Sequence, residues 1–74
     1  MPIIDFDNVN DMIAELINLA NTYECQFIKP AVYARQFGIS RQGVHKRCKN
    51  SKTVFYLRVK SQRSSMVVDT GNPK

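Results

Sequence analysis

The segment from residue 30 to residue 50 constrains the fold most, because its helix signals follow one another with almost no slack. Proline 30, after Phe27-Ile28-Lys29, has a fixed φ and no N–H, which suits the first turn of a helix. Gly38 is the residue expected in the left-handed region just past a helix end. Ser40 follows at once as the cap of a new helix. The pattern predicts a short helix carrying Tyr33, Ala34 and Phe37, a tight turn, and a second helix reaching about Lys49. Such a corner has physical demands. Ala34 is small enough to let the second helix approach, Gly38 supplies the positive φ, and Phe37, Ile39 and Val44 are spaced to pin the turn. Val44 and Cys48, at i and i+4, form the inward stripe of the second helix, and everything else on it is polar, basic or glycine.

Two further patterns flank this corner. Val9, Met12, Ile13, Leu16, Ile17 and Ala20 recur at helical spacing, with Asp7 or Asn8 as N-cap and Asp11 and Glu15 near the positive end of the dipole. They predict a helix over about 8–22. Beyond Ser51 the period becomes two. Phe55, Leu57 and Val59 share one side of a strand, and Val54, Tyr56 and Arg58 share the other. Lys60 to Ser65 reads as a polar loop, with Met66-Val67-Val68 returning as the partner strand. The expected fold is mainly α with a C-terminal β-hairpin, in the α+β class. One domain is expected over 1–70, with the paired helices at about 30–49, the hairpin at about 53–68 and a flexible tail at 71–74.

Length limits the chemistry. A 74-residue chain buries only about 60% of its unfolded surface, and a core of that size leaves little stability to spare. A large catalytic cleft is hard to support on that margin. No Ser-His-Asp set, carboxylate pair or phosphate loop can be assembled, so no enzyme is expected. The single histidine, His45, has no Cys or carboxylate at metal-ligand spacing except Cys48 three residues on, so neither metal nor cofactor is expected. Cys25 and Cys48 read as two reduced, buried thiols. No apolar run approaches the ~20 residues of a membrane span. The opening Met-Pro-Ile-Ile-Asp has no basic region before an apolar stretch, so neither membrane insertion nor a secretory signal is expected. The expected compartment is the cytoplasm.

Charge is segregated along the chain. Residues 1–28 hold five acids (Asp5, Asp7, Asp11, Glu15, Glu24) and no Lys or Arg, whereas all 11 basic residues lie after them, against Asp69 alone. No acid occurs between Lys29 and Arg63. Charges placed only for solubility mix their signs, so this run points to a polyanionic partner, with nucleic acid first. No aromatic cluster favours an RNA-binding sheet.

The stretch Tyr33-Ala34-Arg35-Gln36-Phe37-Gly38-Ile39-Ser40-Arg41-Gln42-Gly43-Val44-His45-Lys46-Arg47 resembles the helix-turn-helix of small bacterial and phage DNA-binding proteins. With the following hairpin as a wing, the outline is similar to the winged-helix variant. The resemblance covers about twenty residues and implies that Ser40 to Lys49 form a recognition helix for the major groove. Arg41 suits guanine and Gln42 suits adenine, and His45 and Lys46 reach bases or flanking phosphates one turn later. Lys29, Arg35, Ser40, Arg47, Lys49 and Lys52 are expected on the DNA backbone, and Lys60, Gln62 and Arg63 on the wing. Two departures stand out. Gly43 lies inside the recognition helix at a cost of up to about 1 kcal/mol, either tolerated or required by a close DNA approach. Arg47 stands where many members place an apolar residue, so either Cys48 packs there or the helix is rotated.

The resemblance implies a sequence-specific regulator of double-stranded DNA, repressor-like, from a phage, prophage or plasmid. An excisionase-like DNA-bending factor is the alternative within that class. In a different class, the acidic helix would dock on a partner protein, as in an antirepressor or a polymerase-binding inhibitor. A single recognition helix makes few base contacts, so a homodimer through Val9, Met12, Ile13, Leu16 and Ile17 is a further expectation.

Overall fold

The computed structural model describes residues 3–74; the first two positions of the expected 1–70 domain lie outside them. The chain is α+β, with strand β1 (Ile3–Phe6), helix α1 (Val9–Thr22), strand β2 (Tyr23–Ile28), helices α2 (Pro30–Phe37) and α3 (Arg41–Asn50), and strands β3 (Val54–Val59) and β4 (Ser64–Pro73). A single 3-10 turn, Lys60–Gln62, joins the last two strands. The strands form one sheet in the order β1-β3-β4-β2, with β1 parallel to β3 and the other pairs antiparallel.

The sheet is covered on both faces. Leu57, Val59 and Val68 pack against Met12 and Leu19 of α1, with Val9, Leu16 and Phe55 at the margin. Val54, Tyr56 and Val67 point the other way, onto Tyr33, Val44 and Cys48 of the helix pair, with Ile28, Ala34 and Ile39 around them. Side chains alternate between faces along a strand, so β3 serves both cores, and its predicted division into two sides is the one observed. Burying a residue such as Leu57 contributes about 1.5–3 kcal/mol.

Four expectations are corrected. The β3–β4 hairpin is not a free two-stranded wing over 53–68; its strands are the central pair of a four-stranded sheet. Two strands absent from the expected fold, β1 and β2, flank it. The expected tail at 71–74 is largely strand: Pro73 pairs with Tyr23, and the Lys74 N–H donates to the Thr22 carbonyl at 2.8 Å. Phe37 does not pin the helix corner but remains exposed, tilted against Tyr33 at a centroid distance of 4.6 Å.

The corner itself forms as its residues dictate. Gly38 sits at φ 62° and ψ 36°. Its N–H donates to Arg35 O at 3.3 Å, and the Ile39 N–H donates to Ala34 O at 3.0 Å, the double closure of a Schellman end. Ser40 Oγ then accepts the Gly43 N–H at 3.1 Å. Gly43 has a reason inside the protein: a Cβ there would stand 3.1 Å from the Ile39 Cβ, so its absence lets the first turn of α3 close over the corner. Cys48, fully buried, takes the packing position that Arg47 leaves open.

No atom lies within 4 Å of a Cβ built on Gly38, so only its backbone resists substitution. Gly38→Ala is expected to destabilise the fold by about 1–2 kcal/mol, and Gly38→Asn by less than half of that. Urea unfolding of the two variants beside the parent checks both the size and the order.

Candidate nucleic-acid interface

The four side chains expected to read bases divide into two groups on α3. Gln42 and Lys46 are exposed and, with Lys49, recur at i, i+4 and i+7, a stripe turned away from the buried Val44 and Cys48. Arg41 and His45 turn toward the β3–β4 connection. The His45 ring is half-buried, edge-on to Tyr56 at 4.5 Å between centroids, which anchors it rather than freeing it to search a groove.

The residues expected on the backbone are also dispersed. The Arg47 guanidinium lies 4.2 Å over the Phe37 ring, a cation–π contact that holds both side chains on the outer edge of the corner. Ser40 Oγ is engaged as the cap of α3. Lys29 is exposed at the cap of α2. Arg35 on α2 and Lys52 after α3 are exposed and line neither cleft described below.

Between the first two turns of α3 and the end of the hairpin is an open cleft of about 240 Å³. Its polar lining comes from Arg41, Gln42, His45, Arg58, Lys60, Arg63, Ser64 and Ser65, so that Gln42 stands at the border between this cleft and the outer face of α3, and no carboxylate lines it. A second groove shares Arg41, Arg63, Ser64 and Ser65 with it and continues to Lys29. Of the expected wing residues, Lys60 and Arg63 therefore join Arg41, whereas Gln62 is exposed and lines neither cleft.

Arg58 was not among the expected site residues. It stands opposite Asp5 in the β1–β3 register and is ion-paired with it, its Nε and Nη2 donating to the two carboxylate oxygens. Lys60 Nζ lies 3.7 Å from the same carboxylate. The hydrogen bond from Arg58, aided by the charges of Arg58 and Lys60, holds the Asp5 carboxyl below its ordinary value of 3.8. The one sequence signal for this pair was a basic residue, Arg58, among the apolar positions of β3. Their register depended on a strand that was not expected.

The helix expected to dimerise is only partly free. Met12 is buried, and Val9 and Leu16 are half-buried against the chain's own sheet, which leaves Ile13 and Ile17 exposed at 44% and 57%. Neither cysteine is a poised nucleophile. Burial pushes the Cys48 thiol up to about 11 and raises Cys25 as well. Among the described residues no three His, Cys, Asp or Glu side chains come together as a metal site, and no helix is long and apolar enough to cross a membrane.

A depressed carboxyl pKa stabilises the fold above its unfolded value, and that contribution is lost as pH falls through the folded value. In Asp5→Asn the acid limb below about pH 4 is therefore expected to be flatter than in the parent. Denaturant midpoints measured across that range test this; an unchanged limb means that the pair adds nothing.

Compared with protein-family models, with curated proteins and with solved structures, the chain finds no match.

Proposed function

We propose that the chain is a sequence-specific double-stranded DNA-binding protein, a small transcriptional regulator that places α3 in the major groove. The observation that carries this reading is the outer face of α3. Gln42, Lys46 and Lys49 project from a helix whose other side is locked down by Val44 and Cys48, directly after a capped, glycine-closed corner. A rigid helix with amide and cationic side chains on its free face has what groove readout needs: donors and acceptors for base edges, and charge for phosphates. The exposed cations Lys29, Arg41, Lys60 and Arg63 extend the basic surface beside it. In this reading the fold is a winged-helix relative whose wing is drawn into a full sheet, with residues 60–63 as its tip. The compartment is the cytoplasm or nucleoid.

Selection of bound duplexes from a random pool at about 150 mM salt is expected to return one motif, with affinity falling as salt rises at a log–log slope near −5 for about six phosphates. Gln42→Ala and Lys46→Ala are expected to relax preference at adjacent positions, by about 1–3 kcal/mol for a bidentate contact. No recovered motif together with a flat salt response overturns the reading.

The exposed pair Ile13 and Ile17, on the sheet face opposite α3, supports a protein contact as a second role, with another copy of the chain as the first choice. Sedimentation at about 100 µM is expected to give twice the 8.5 kDa chain mass. Ile17→Glu is expected to return it to the monomer, whereas a monomeric parent removes this role.

A further inference from the structure

Two observations meet at the cleft between α3 and the end of the hairpin, and the proposed role of the outer face of α3 uses neither. The first is chemical. Three arginines, Arg41, Arg58 and Arg63, line one concave site together with Gln42, Lys60 and Ser65, with no lining carboxylate. Asp5 offsets part of this charge through Arg58 and Lys60, whereas Arg41 and Arg63 have no carboxylate within 4 Å among the described residues, and like charges gathered without a counter-ion repel one another. The Asp5 carboxylate takes only the Nε and one Nη2 donor of Arg58. The Nη1 edge of that fork is left for a second anion, with its direction set by the first.

The second observation is conformational. Arg63 closes the 3-10 turn at φ 52° and ψ 29°, the single non-glycine residue with a left-handed backbone among the described residues. Glycine or asparagine fills such a position at lower cost. An exposed arginine there is opposed by the backbone and buries nothing, so its side chain is the feature that accounts for it. Arg63 lines both the cleft and the groove leading to Lys29.

We propose that this cleft seats one phosphodiester of a nucleic-acid backbone, held between the guanidinium forks of Arg41, Arg58 and Arg63, with Arg63 kept in a left-handed turn for that contact. The inference rests on the DNA-binding reading for the source of the phosphodiester, and it gives Arg41 and Arg63, there part of a general basic surface, one defined contact shared with Arg58. Forked guanidinium groups match two phosphate oxygens at once, and Ser65 adds a neutral donor. Arg58 acts here through its orientation by Asp5. The seat carries no sequence information and fixes where α3 lies along the groove.

The test uses the full chain with labelled arginine side chains. Inorganic phosphate is expected to shift the Nε–H signals of Arg41, Arg58 and Arg63 saturably, and Arg63→Gly is expected to abolish the shifts at the other two. Shifts spread evenly over all arginines, or none, overturn the seat. With duplex DNA, Arg63→Gly is expected to weaken binding about tenfold for every sequence and to make the salt slope shallower by about 1. Arg63→Lys is expected to recover part of the loss. Tm of Arg63→Gly is expected to equal or exceed the parent's, and a clear fall overturns the argument from the backbone. Unchanged DNA affinity in Arg63→Gly, with Lys46→Ala, which lies outside the cleft, still altering preference, sinks the seat and leaves the groove reading standing. The reverse result sinks the groove reading and leaves the seat.

Discussion

Strand β3 has neither a free face nor a free edge, and the rest of the molecule is arranged around that fact. Parallel β1 pairs with one edge and antiparallel β4 with the other, while α1 covers one face and α2–α3 the other. A strand buried on both sides must be apolar at nearly every position, and Val-Phe-Tyr-Leu-Arg-Val is so except at Arg58. That exception is met from the neighbouring strand, because the β1–β3 register sets Asp5 directly across from it. A slip of one residue would send Asp5 to the α1 face and leave Arg58 facing Ile4 or Phe6. Asp5–Arg58 therefore ties the register of a short edge strand to the charge of the cleft beside α3.

The helix corner depends on the same strand. Val44 and Cys48 of α3 have Tyr33, Val54, Tyr56 and Val67 beneath them. This leaves α3 little freedom to rotate, and the division of its polar side chains follows. Lys46 and Lys49 go outward, Arg41 and His45 turn over the hairpin end, and exposed Gln42 stands between them at the rim of the cleft. The acidic helix lies on the far face. Two of the five N-terminal acids, Asp11 and Glu15, thus lie across the sheet from α3, whereas Asp5 is on the same side as the cations and pairs with Arg58. The two cysteines are divided between the two cores, with no disulfide to join them.

Much of this was legible from residues taken singly or in short runs. Pro30, Gly38 and Ser40 act locally, through φ preferences and cap hydrogen bonds, and the elements they bound lie where those preferences put them. The α1 stripe and the alternation in β3 are equally local. β2 was not read: Tyr23, Cys25 and Phe27 alternate with Glu24 and Gln26, but the run is short, follows a helix directly, and leaves Phe27 exposed. Nor was β1. Four residues, Ile-Ile-Asp-Phe, carry no periodicity that decides between strand and coil, and their state depends on a partner more than fifty positions away. The glycine, asparagine and proline near the C-terminus read as a tail, yet pairing with β2 extends β4 through them.

The sequence by itself determined the capped corner, the two-sided character of β3 and the run of basic residues without an acid. Each of these rests on interactions within a few residues or on composition alone. Tertiary structure decided which cations meet. Arg41, Arg58 and Arg63 come together because sheet register and helix docking place them there, and neither can be read from spacing along the chain. It also decided why Gly43 is glycine, through the nearness of Ile39, and how much of the α1 stripe remains exposed. Both depend on what packs against the residue, which only the assembled layers supply.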